Sequence, residues 1–450
     1  MGVAVALIVM IAASVLFHVL SPWYFTPIAS NWGAIDHTIS ITFWVTGVVF
    51  VLVNLFMAYA VYRYRHRAGQ RAQYEPENKK LEGWLLAVTT VGVAAMLTPG
   101  LFVWAKFVDV PADALEVEVV GQQWNWTYRF PGKDGKLGRV SAGNVSGANH
   151  FGIDAADPAG QDDILIEGGE VRLPLGKPVK LLLRSKDVLH NFAVAEIRIK
   201  MDMVPGMVTH AWFTPTRTGS FDLLCQELCG IAHFAMRGRL VVEEPPAFAA
   251  WLAQQPTFAQ LAARPAADPA AGKELYAACA GCHGEQAEGN QAANAPKLSG
   301  QGEWYLRRQL ALFKQGARGN DERDANGRIM AQMSATLPDR VAVENVAAYI
   351  ATLPDKPAAT TVEGNADRGR SRYTTCGACH GARGEGAQAT NAPRLRGMSD
   401  WYLVAQLKHF RDGVRGGHKD DLHGAQMAQM AGMLADEQSI RDLVVYVNGL

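Results

Sequence analysis

The chain has no excess of either charge and very little cysteine. Its 450 residues carry 43 lysines and arginines against 43 aspartates and glutamates, so it lacks the basic surplus typical of nucleic-acid binding. The six cysteines form three close pairs, and each pair has a histidine nearby. Attachment of cofactors explains this pattern better than a disulfide framework does. The pairs are Cys225/Cys229, Cys279/Cys282 and Cys376/Cys379.

Residues 1–20 are almost wholly apolar, and they lack both the positively charged segment and the small-residue cleavage site of a secretory signal peptide. We therefore expect a retained membrane helix, with a signal peptide as the alternative. The aromatic residues that follow predict a connection at the membrane interface. They are Trp23, Tyr24, Phe25 and Trp32.

Two further apolar runs, 37–62 and 81–106, predict a transmembrane hairpin over residues 37–106. The connection between them carries six basic residues against Glu75 and Glu77, which places it in the cytoplasm by the positive-inside rule. Everything after residue 106 is then periplasmic, on the outer face of a bacterial inner membrane. The basic residues are Arg63, Arg65, Arg67, Arg71, Lys79 and Lys80.

Residues 109–244 predict a β-sandwich or barrel, because short β-branched runs alternate there with glycine and proline. Residues 131–163 are rich in Gly, Ser, Asp and Asn and predict a long surface loop. Residues 245–267 predict a linker with a short helix at 248–254. The predicted strands are 115–120, 124–130, 164–166, 179–183, 192–195, 211–213, 219–224 and 239–242.

Residues 225–236 combine two thiols, a carboxylate, an imidazole and a thioether, and His190 lies upstream near the end of a predicted strand. Soft sulfur together with imidazole is a ligand set for copper. The alternatives for the C-x3-C pair are a disulfide in an oxidising compartment and a zinc site in a reducing one. Neither alternative needs Met236, three residues after His233.

The last part of the chain is a tandem repeat, with units at 268–354 and 365–450. Each unit contains C-x-x-C-H, the covalent attachment signature of a c-type haem, at 279–283 and 376–380. The offset of 97 residues between the motifs also relates many other identical residues, which indicates duplication of one small domain. They include Gly272/Gly369, Tyr276/Tyr373, Pro296/Pro393, Gln309/Gln406, Arg318/Arg415 and Tyr349/Tyr446.

The cysteine loop resembles the binuclear CuA loop of subunit II of the haem–copper oxygen reductases, and the resemblance implies a cupredoxin-like sandwich. It implies that Cys225 and Cys229 bridge two coppers, and that Glu227 binds through its backbone carbonyl. It further implies terminal ligands His190 and His233 and a weak axial ligand, Met236. In the family the same glutamate also reaches a magnesium ion shared with subunit I, and we extend that role to Glu227 and Asp202.

Two other positions compare with the family. Trp124 matches the indole through which electrons enter, whereas Asn125 replaces the usual tyrosine, and we expect Trp126 and Tyr128 to serve packing. Asn54 stands where relatives have a glutamate near a proton-entry path. Because asparagine cannot titrate, an amide hydrogen bond between helices is the expected role of Asn54.

Each repeat resembles the mostly helical class I cytochromes c. The resemblance implies axial ligation of haem iron by His283 and His380, with a methionine opposite. The candidates are Met330 and Met333 in the first repeat and Met427, Met430 and Met433 in the second. In the family the methionine lies seven residues before a leucine that opens the last helix, and counting back from Leu337 and Leu434 favours Met330 and Met427 over Met333 and Met430, the candidates for packing. His418 and His423 have no histidine counterpart in the first repeat, and we expect them at the surface.

Together these features predict subunit II of a terminal, proton-translocating cytochrome c oxidase with two fused cytochromes c. Electrons would pass from a cytochrome c or similar donor through two haems c and CuA to subunit I, where dioxygen is reduced; subunit III is a further expected partner. The alternatives are the equivalent subunit of a CuA-containing nitric oxide reductase, and a membrane-anchored electron carrier or redox sensor. The chain lacks the histidine-rich helices of an oxygen-reducing site, so that site lies on another subunit.

Overall fold

Three long apolar helices open the chain in the computed structural model, which describes residues 2–21, 26–71, 76–146 and 149–450. They are α1 (Gly2–Leu20), α2 (Gly33–Arg63) and α3 (Lys79–Val108). All three are long and apolar enough to cross a bilayer, as predicted. Trp23, Tyr24 and Phe25 lie outside the described residues.

Trp32 is buried inside the protein. Its side chain is 3% exposed, its ring packs against Trp212 at 4.9 Å between centroids, and its Nε1–H donates to the Trp212 carbonyl oxygen at 2.8 Å. Contacts within the protein thus satisfy both the apolar ring and the polar N–H, and the place of this connection at a membrane interface stays a prediction. Trp32 therefore joins the start of α2 to the β-domain.

The hydrogen-bond partner of the Asn54 side chain differs from the one that the sequence predicted. Its Nδ2 donates to the Phe50 carbonyl oxygen, 2.8 Å away and one turn earlier in α2. The expected bond between helices is therefore replaced by one within the helix, which satisfies the amide without a neighbouring helix.

A β-sandwich follows, in agreement with the sequence. One sheet has the strand order β3-β2-β1-β5-β8 and the other β4-β10-β9-β6-β7. Strand β1 pairs antiparallel with β2 and parallel with β5. The strands are β1 (Leu115–Gln122), β2 (Asn125–Phe130), β3 (Ile164–Glu167), β4 (Glu170–Pro174), β5 (Val179–Ser185), β6 (His190–Val194), β7 (Ile199–Met203), β8 (Thr209–Phe213), β9 (Gly219–Leu224) and β10 (Arg237–Glu243).

The segment 131–163 is not a simple surface loop. Phe151 and Ile153 are almost fully buried in a small cluster with Val120, Leu165 and Phe258. The segment also contains the short helix α4 (Pro158–Gln161). Burial of these two apolar side chains holds an otherwise polar segment against the first sheet.

Residues 245–267 pack on the sandwich as well. They form α5 (Pro245–Leu252) and α6 (Phe258–Ala262). Helix α5 begins three residues before the predicted helix because proline suits the first turn. The rings of Phe248 and Trp251 lie 6.0 and 6.1 Å from Phe130, so this connection is held against the β-domain.

Each repeat folds into four helices, and corresponding helices begin 97 residues apart. The first repeat has α7 (Pro269–His283), α8 (Glu303–Lys314), α9 (Ala325–Ala335) and α10 (Arg340–Thr352). The second has α11 (Ala366–His380), α12 (Asp400–Arg411), α13 (Leu422–Ala431) and α14 (Glu437–Asn448).

The shared glycines and tyrosines lie where the first and last helices of each repeat cross. A Cβ on Gly272 would come within 2.0 Å of the Asn345 carbonyl oxygen, and one on Gly369 within 2.1 Å of the Asp442 carbonyl oxygen. Any larger residue would push the helices apart. Beside these crossings Tyr276 packs on Tyr349, and the second repeat has the equivalent ring pair.

The buried face of the sandwich predicts a stability difference between two truncations to alanine. Leu181, 1% exposed in β5, should lose about 2–5 kcal/mol of unfolding free energy as Leu181→Ala, from lost burial and a cavity. Val208→Ala, at a 59% exposed position, should change it by less than about 0.5 kcal/mol. Denaturant unfolding followed by tryptophan fluorescence measures both, and equal midpoints would contradict this packing.

Candidate metal centre and haem pockets

The predicted copper ligands meet at one end of the sandwich. The Sγ atoms of Cys225 and Cys229 lie 3.7 Å apart, and Nδ1 of His190 is 3.9 Å from Cys225 Sγ. On the other side, Cys229 Sγ lies 3.5 Å from His233 Nδ1 and 3.8 Å from Met236 Sδ. Five soft or borderline donor atoms thus surround one small space.

Local structure explains this convergence. His190 opens β6, Cys225 directly follows β9, and Met236 directly precedes β10. The backbone N–H of Cys225 donates to the Met236 carbonyl oxygen at 3.2 Å, which closes the loop by extending the β9–β10 ladder. Within the loop Gly230 has φ +122°, a conformation that favours glycine.

The electrostatics of the two thiols favour a cation. The hydrogen bond between them, opposed by burial, lowers the pKa of Cys225 to about 3. The same hydrogen bond raises the pKa of Cys229 well above its usual value. One thiolate therefore forms readily, while a second so close to it needs a positive charge for compensation.

The donor set fits copper better than its alternatives. The two sulfur atoms are unbonded, since a disulfide would hold them about 2 Å apart. A thioether beside two thiolates and two imidazoles is typical of copper rather than of structural zinc. The Glu227 carbonyl oxygen, 3.2 Å from Cys225 Sγ, is also near enough to serve as the predicted backbone ligand.

Sequence reasoning missed Asp187. Its Oδ1 lies 2.8 Å from Nε2 of His190, so the ring directs Nδ1 towards the sulfur atoms. Such carboxylate partners fix the orientation of metal-binding histidines. The available signal was a carboxylate three residues before the histidine, in Asp187-Val188-Leu189-His190.

The proposed magnesium residues have protein partners. Asp202 accepts a hydrogen bond from Asn191 Nδ2 at 2.6 Å, and the Glu227 carboxylate lies 3.7 Å from Lys200 Nζ. The magnesium role stays a prediction.

Trp124 lies against the metal loop. A Cβ on Gly230 would come 3.0 Å from the Trp124 ring, so only a glycine allows this approach. The neighbouring Gln123 donates from Nε2 to the Cys229 carbonyl oxygen at 2.8 Å. By contrast, Trp126 and Tyr128 are fully buried in the sandwich core, where packing accounts for them.

Both C-x-x-C-H histidines are poised to bind iron. Nδ1 of His283 lies 2.8 Å from the Pro296 carbonyl oxygen, and Nδ1 of His380 lies 2.7 Å from that of Pro393. Because Nδ1 donates its proton there, Nε2 of each ring carries a free lone pair. Burial lowers the pKa of both rings, which keeps them neutral as ligation requires.

An apolar cavity in the second repeat fits a haem. Cys376, Cys379 and His380 line one part of it and Met427 and Met430 another, so either methionine could face His380. The first repeat favours the predicted pair, because Met333, which corresponds to Met430, is 38% exposed, whereas Met330 is half-buried.

His423 is not the surface residue that the sequence predicted. It lines the same cavity, and burial lowers its pKa to about 4. The misassignment arose because α13 turns this face inward, which a comparison with Asn326 of the first repeat does not reveal. His418 does lie near the surface, beside Asp420.

The two repeats meet through a cluster of buried polar groups, in which each repeat makes the same set of contacts with the other. Each arginine bonds the glutamine of its own repeat and reaches the tyrosine and glutamine of the other. Burial by itself raises the pKa of the Tyr305 phenol. The positive charges nearby, with Arg415 and Arg318 foremost, outweigh burial, so the pKa is lowered. The contacts are Arg318 with Gln309, Tyr402 and Gln406, and Arg415 with Gln406, Tyr305 and Gln309.

These arginines fit the acidic edge of a haem. Their Nε atoms are buried without a hydrogen-bond partner, and Arg415 lines the cavity of the second repeat. Buried guanidinium groups bonded only to neutral side chains favour an anionic ligand, and carboxylates are the groups that arginine binds best. Haem propionates would supply them.

Comparison with known proteins agrees with this architecture. Residues 115–244 match the periplasmic domain of cytochrome c oxidase subunit II, and residues 269–354 and 366–450 each match cytochrome c. The alternative cytochrome c oxidase subunit 2 of Bradyrhizobium diazoefficiens is 60% identical over 264 residues, 59% of this chain and 95% of the relative.

More distant relatives cover different parts of the chain. Cytochrome c oxidase subunit 2 of Cereibacter sphaeroides is 29% identical over 235 residues, 47% of this chain and 75% of its own length. Reduced cytochrome c4 from Pseudomonas stutzeri, a solved structure, is 28% identical. It covers 41% of this chain and 100% of its own, with a TM-score of 0.34.

The Asp187 contact predicts weaker copper binding after Asp187→Asn. Loss of the carboxylate frees the His190 ring, and second-sphere changes of this kind cost about 10- to 100-fold in metal affinity. Asp222→Asn, at an exposed position in β9, is the matched control and should leave affinity unchanged. Competition with a copper chelator measures both variants, and equal affinities would argue against an orienting role for Asp187.

Proposed function

Because the chain belongs to the cytochrome c oxidase subunit 2 family, we propose that it delivers electrons to the haem–copper site of subunit I for reduction of dioxygen to water. In this proposal two haems c and a binuclear CuA centre lie along the route. The membrane helices anchor the chain beside subunit I, and the copper and haem domains lie in the periplasm.

The observation that carries the proposal is the convergence of His190, Cys225, Cys229, His233 and Met236. When bound, copper held by these residues would supply one-electron transfer with little change of shape. The residues of this chain hold that shape in advance: the β9–β10 ladder closes the loop, and Asp187 fixes His190. Both cysteines are buried, which excludes water and oxidants from the thiolates.

In the repeats, the cysteines of each motif would attach the haem, and His283 and His380 would bind iron through Nε2. Met330 and Met427 are the proposed opposite ligands. Methionine ligation raises the reduction potential of haem, which suits a group that delivers electrons to copper. The physiological donor in this proposal is a cytochrome c or a similar periplasmic carrier.

The membrane part completes the proposal. The basic connection between α2 and α3 supports a cytoplasmic position for that end of the helices, in a bacterial inner membrane. Asn54 bonds its own helix and cannot carry a proton, so proton translocation would depend on subunit I. Subunit III, and a magnesium ion at Glu227 and Asp202, are further proposed components.

Replacement of the axial methionines separates the candidate ligands of the second haem. Met427→His should lower the midpoint potential of one haem by roughly 100 mV or more, because imidazole replaces a thioether on iron. Met430→His, one turn further along α13, should leave both potentials near those of the parent chain. Spectroelectrochemical titration measures the potentials, and the reverse result would make Met430 the ligand.

Removal of a copper ligand separates the copper site from the haems. We expect two copper atoms and two covalent haems in this chain. Cys225→Ser should remove the copper of this chain and abolish oxygen uptake while both haems stay reducible, since a serine cannot replace a thiolate as a copper ligand. Metal analysis and haem staining of the chain separated from subunit I, whose own site also holds copper, give two readouts, and an oxygen electrode on the complex gives the third. Sustained oxygen uptake by a complex whose subunit II holds no copper would contradict the proposed route.

A further inference from the structure

The second repeat docks on the copper domain through several specific contacts. Gln122 Nε2 in β1 donates to the Ala389 carbonyl oxygen at 2.7 Å. Leu422, at the start of α13, lies so close to Gly169 that a Cβ there would come within 2.2 Å of it. Cys379, which would carry the haem, packs against the hydrophobic core of the sandwich.

The haem cavity of the second repeat is open towards the metal loop. Its lining includes Trp124, Ala232 and Ala235 of the copper domain together with Cys379 and His380. Trp124 contacts the loop through Gly230 on one side and the cavity on the other. The loop that carries the copper ligands therefore borders the proposed haem directly, at Ala232 and Ala235, and the Trp124 indole lies beside it.

Gln426 connects the two centres. Its Nε2 donates to the carbonyl oxygens of Trp124 and Ala235, at 2.7 and 3.1 Å. Gln426 directly precedes Met427, and Ala235 directly precedes Met236. The amide therefore joins the residue before a proposed haem ligand to the residue before a proposed copper ligand.

The first repeat lacks this residue. Its position equivalent to Gln426 is Ile329, which is 57% exposed. The difference directly precedes a Met-Ala-Gln-Met run that α9 and α13 share, at 330–333 and 427–430. Gln426 is thus a feature of the docked repeat and not of the haem fold that both repeats share.

We propose that the haem of the second repeat is the immediate electron donor to the copper centre, and that Gln426 is the positioning residue that fixes this contact. The haem of the first repeat then receives electrons from the external donor. One electron leaves the ferrous haem, which becomes ferric, and enters the oxidised copper pair, which becomes fully cuprous. This inference rests on the proposed function, because it assumes that copper and haem occupy their sites.

Gln426 is tested with a matched pair of variants on one helix. Gln426→Met keeps the length of the side chain but removes the donor, and should slow electron transfer from haem to copper roughly tenfold, since two hydrogen bonds are lost. Gln429→Met, at an exposed position of α13, should transfer at the parental rate. Rapid photoreduction of the complete oxidase, followed at the haem and CuA absorption bands, measures the rates.

A second readout does not depend on the cofactors' activity. In copper-free, haem-loaded protein, hydrogen exchange of the peptide around residues 230–236 should accelerate in Gln426→Met, because its anchor to α13 is lost. It should not change in Gln429→Met. Redox titration of Gln426→Met should give the haem and copper potentials of the parent chain. The slower electron transfer then results from the lost contact between the two domains and not from a change in driving force.

The order of the haems is tested by removing each attachment site. A chain with Cys279→Ala and Cys282→Ala should still reduce copper at the parental rate after photoreduction. A chain with Cys376→Ala and Cys379→Ala should reduce it at least about 100-fold more slowly, although both chains retain the CuA spectrum. If the latter transfers as fast as the parent, or if Gln426→Met does, the inference is overturned; absence of the CuA spectrum from the parent chain would overturn the proposed function instead.

Discussion

The structure depends on holding two cysteine sulfurs 3.7 Å apart in a buried site. Two thiolates at that distance repel each other unless a cation lies between them. The chain withstands this because the loop is closed at both ends by β-structure, with Cys225 and Met236 paired through the backbone. The rigid sandwich thus fixes in advance the ligand geometry that fast one-electron transfer requires.

Duplication supplied the second part of the molecule, and the two repeats then diverged at their surfaces. Their helices keep the same starts and glycine crossings, because both repeats have the cytochrome c fold. Each repeat contributes one buried arginine to their contact, and each arginine donates hydrogen bonds to a tyrosine and a glutamine of the other repeat. Divergence is found at the face that meets the copper domain, where Gln426 replaces an exposed isoleucine.

Much of this structure could be predicted from the sequence, because most of the predicted metal and haem ligands lie together in short segments of the chain. The cysteine loop and the C-x-x-C-H motifs are short, and their residue types restrict the chemistry. The membrane helices and eight of the ten strands among the described residues follow from composition and periodicity. Strand β4 was missed because it begins with Glu170 and ends with Pro174, and β7 was not assigned although Ile199, Met201 and Met203 alternate with Lys200 and Asp202.

What could not be predicted depends on contacts between distant parts of the chain. Trp32 enters the β-domain through Trp212, 180 residues later, and Phe151 is buried by partners on three separate segments. His423 gains its surroundings only when α13 packs against its neighbours, whereas Asp187 was missed although its partner His190 lies only three residues later. The docking of the second repeat is of the same kind, since no periodicity within α13 indicates which surface will cover it.

That docking changes the kinetics expected of a respiratory relay. A freely diffusing carrier meets its acceptor at a rate that depends on its concentration and is screened by salt. A carrier held on the same chain, by hydrogen bonds and apolar packing, is present at a fixed and high effective concentration. In the proposed route the internal step is therefore unimolecular and insensitive to ionic strength, and the collision of the external donor with the first repeat is the stage that the surrounding medium controls.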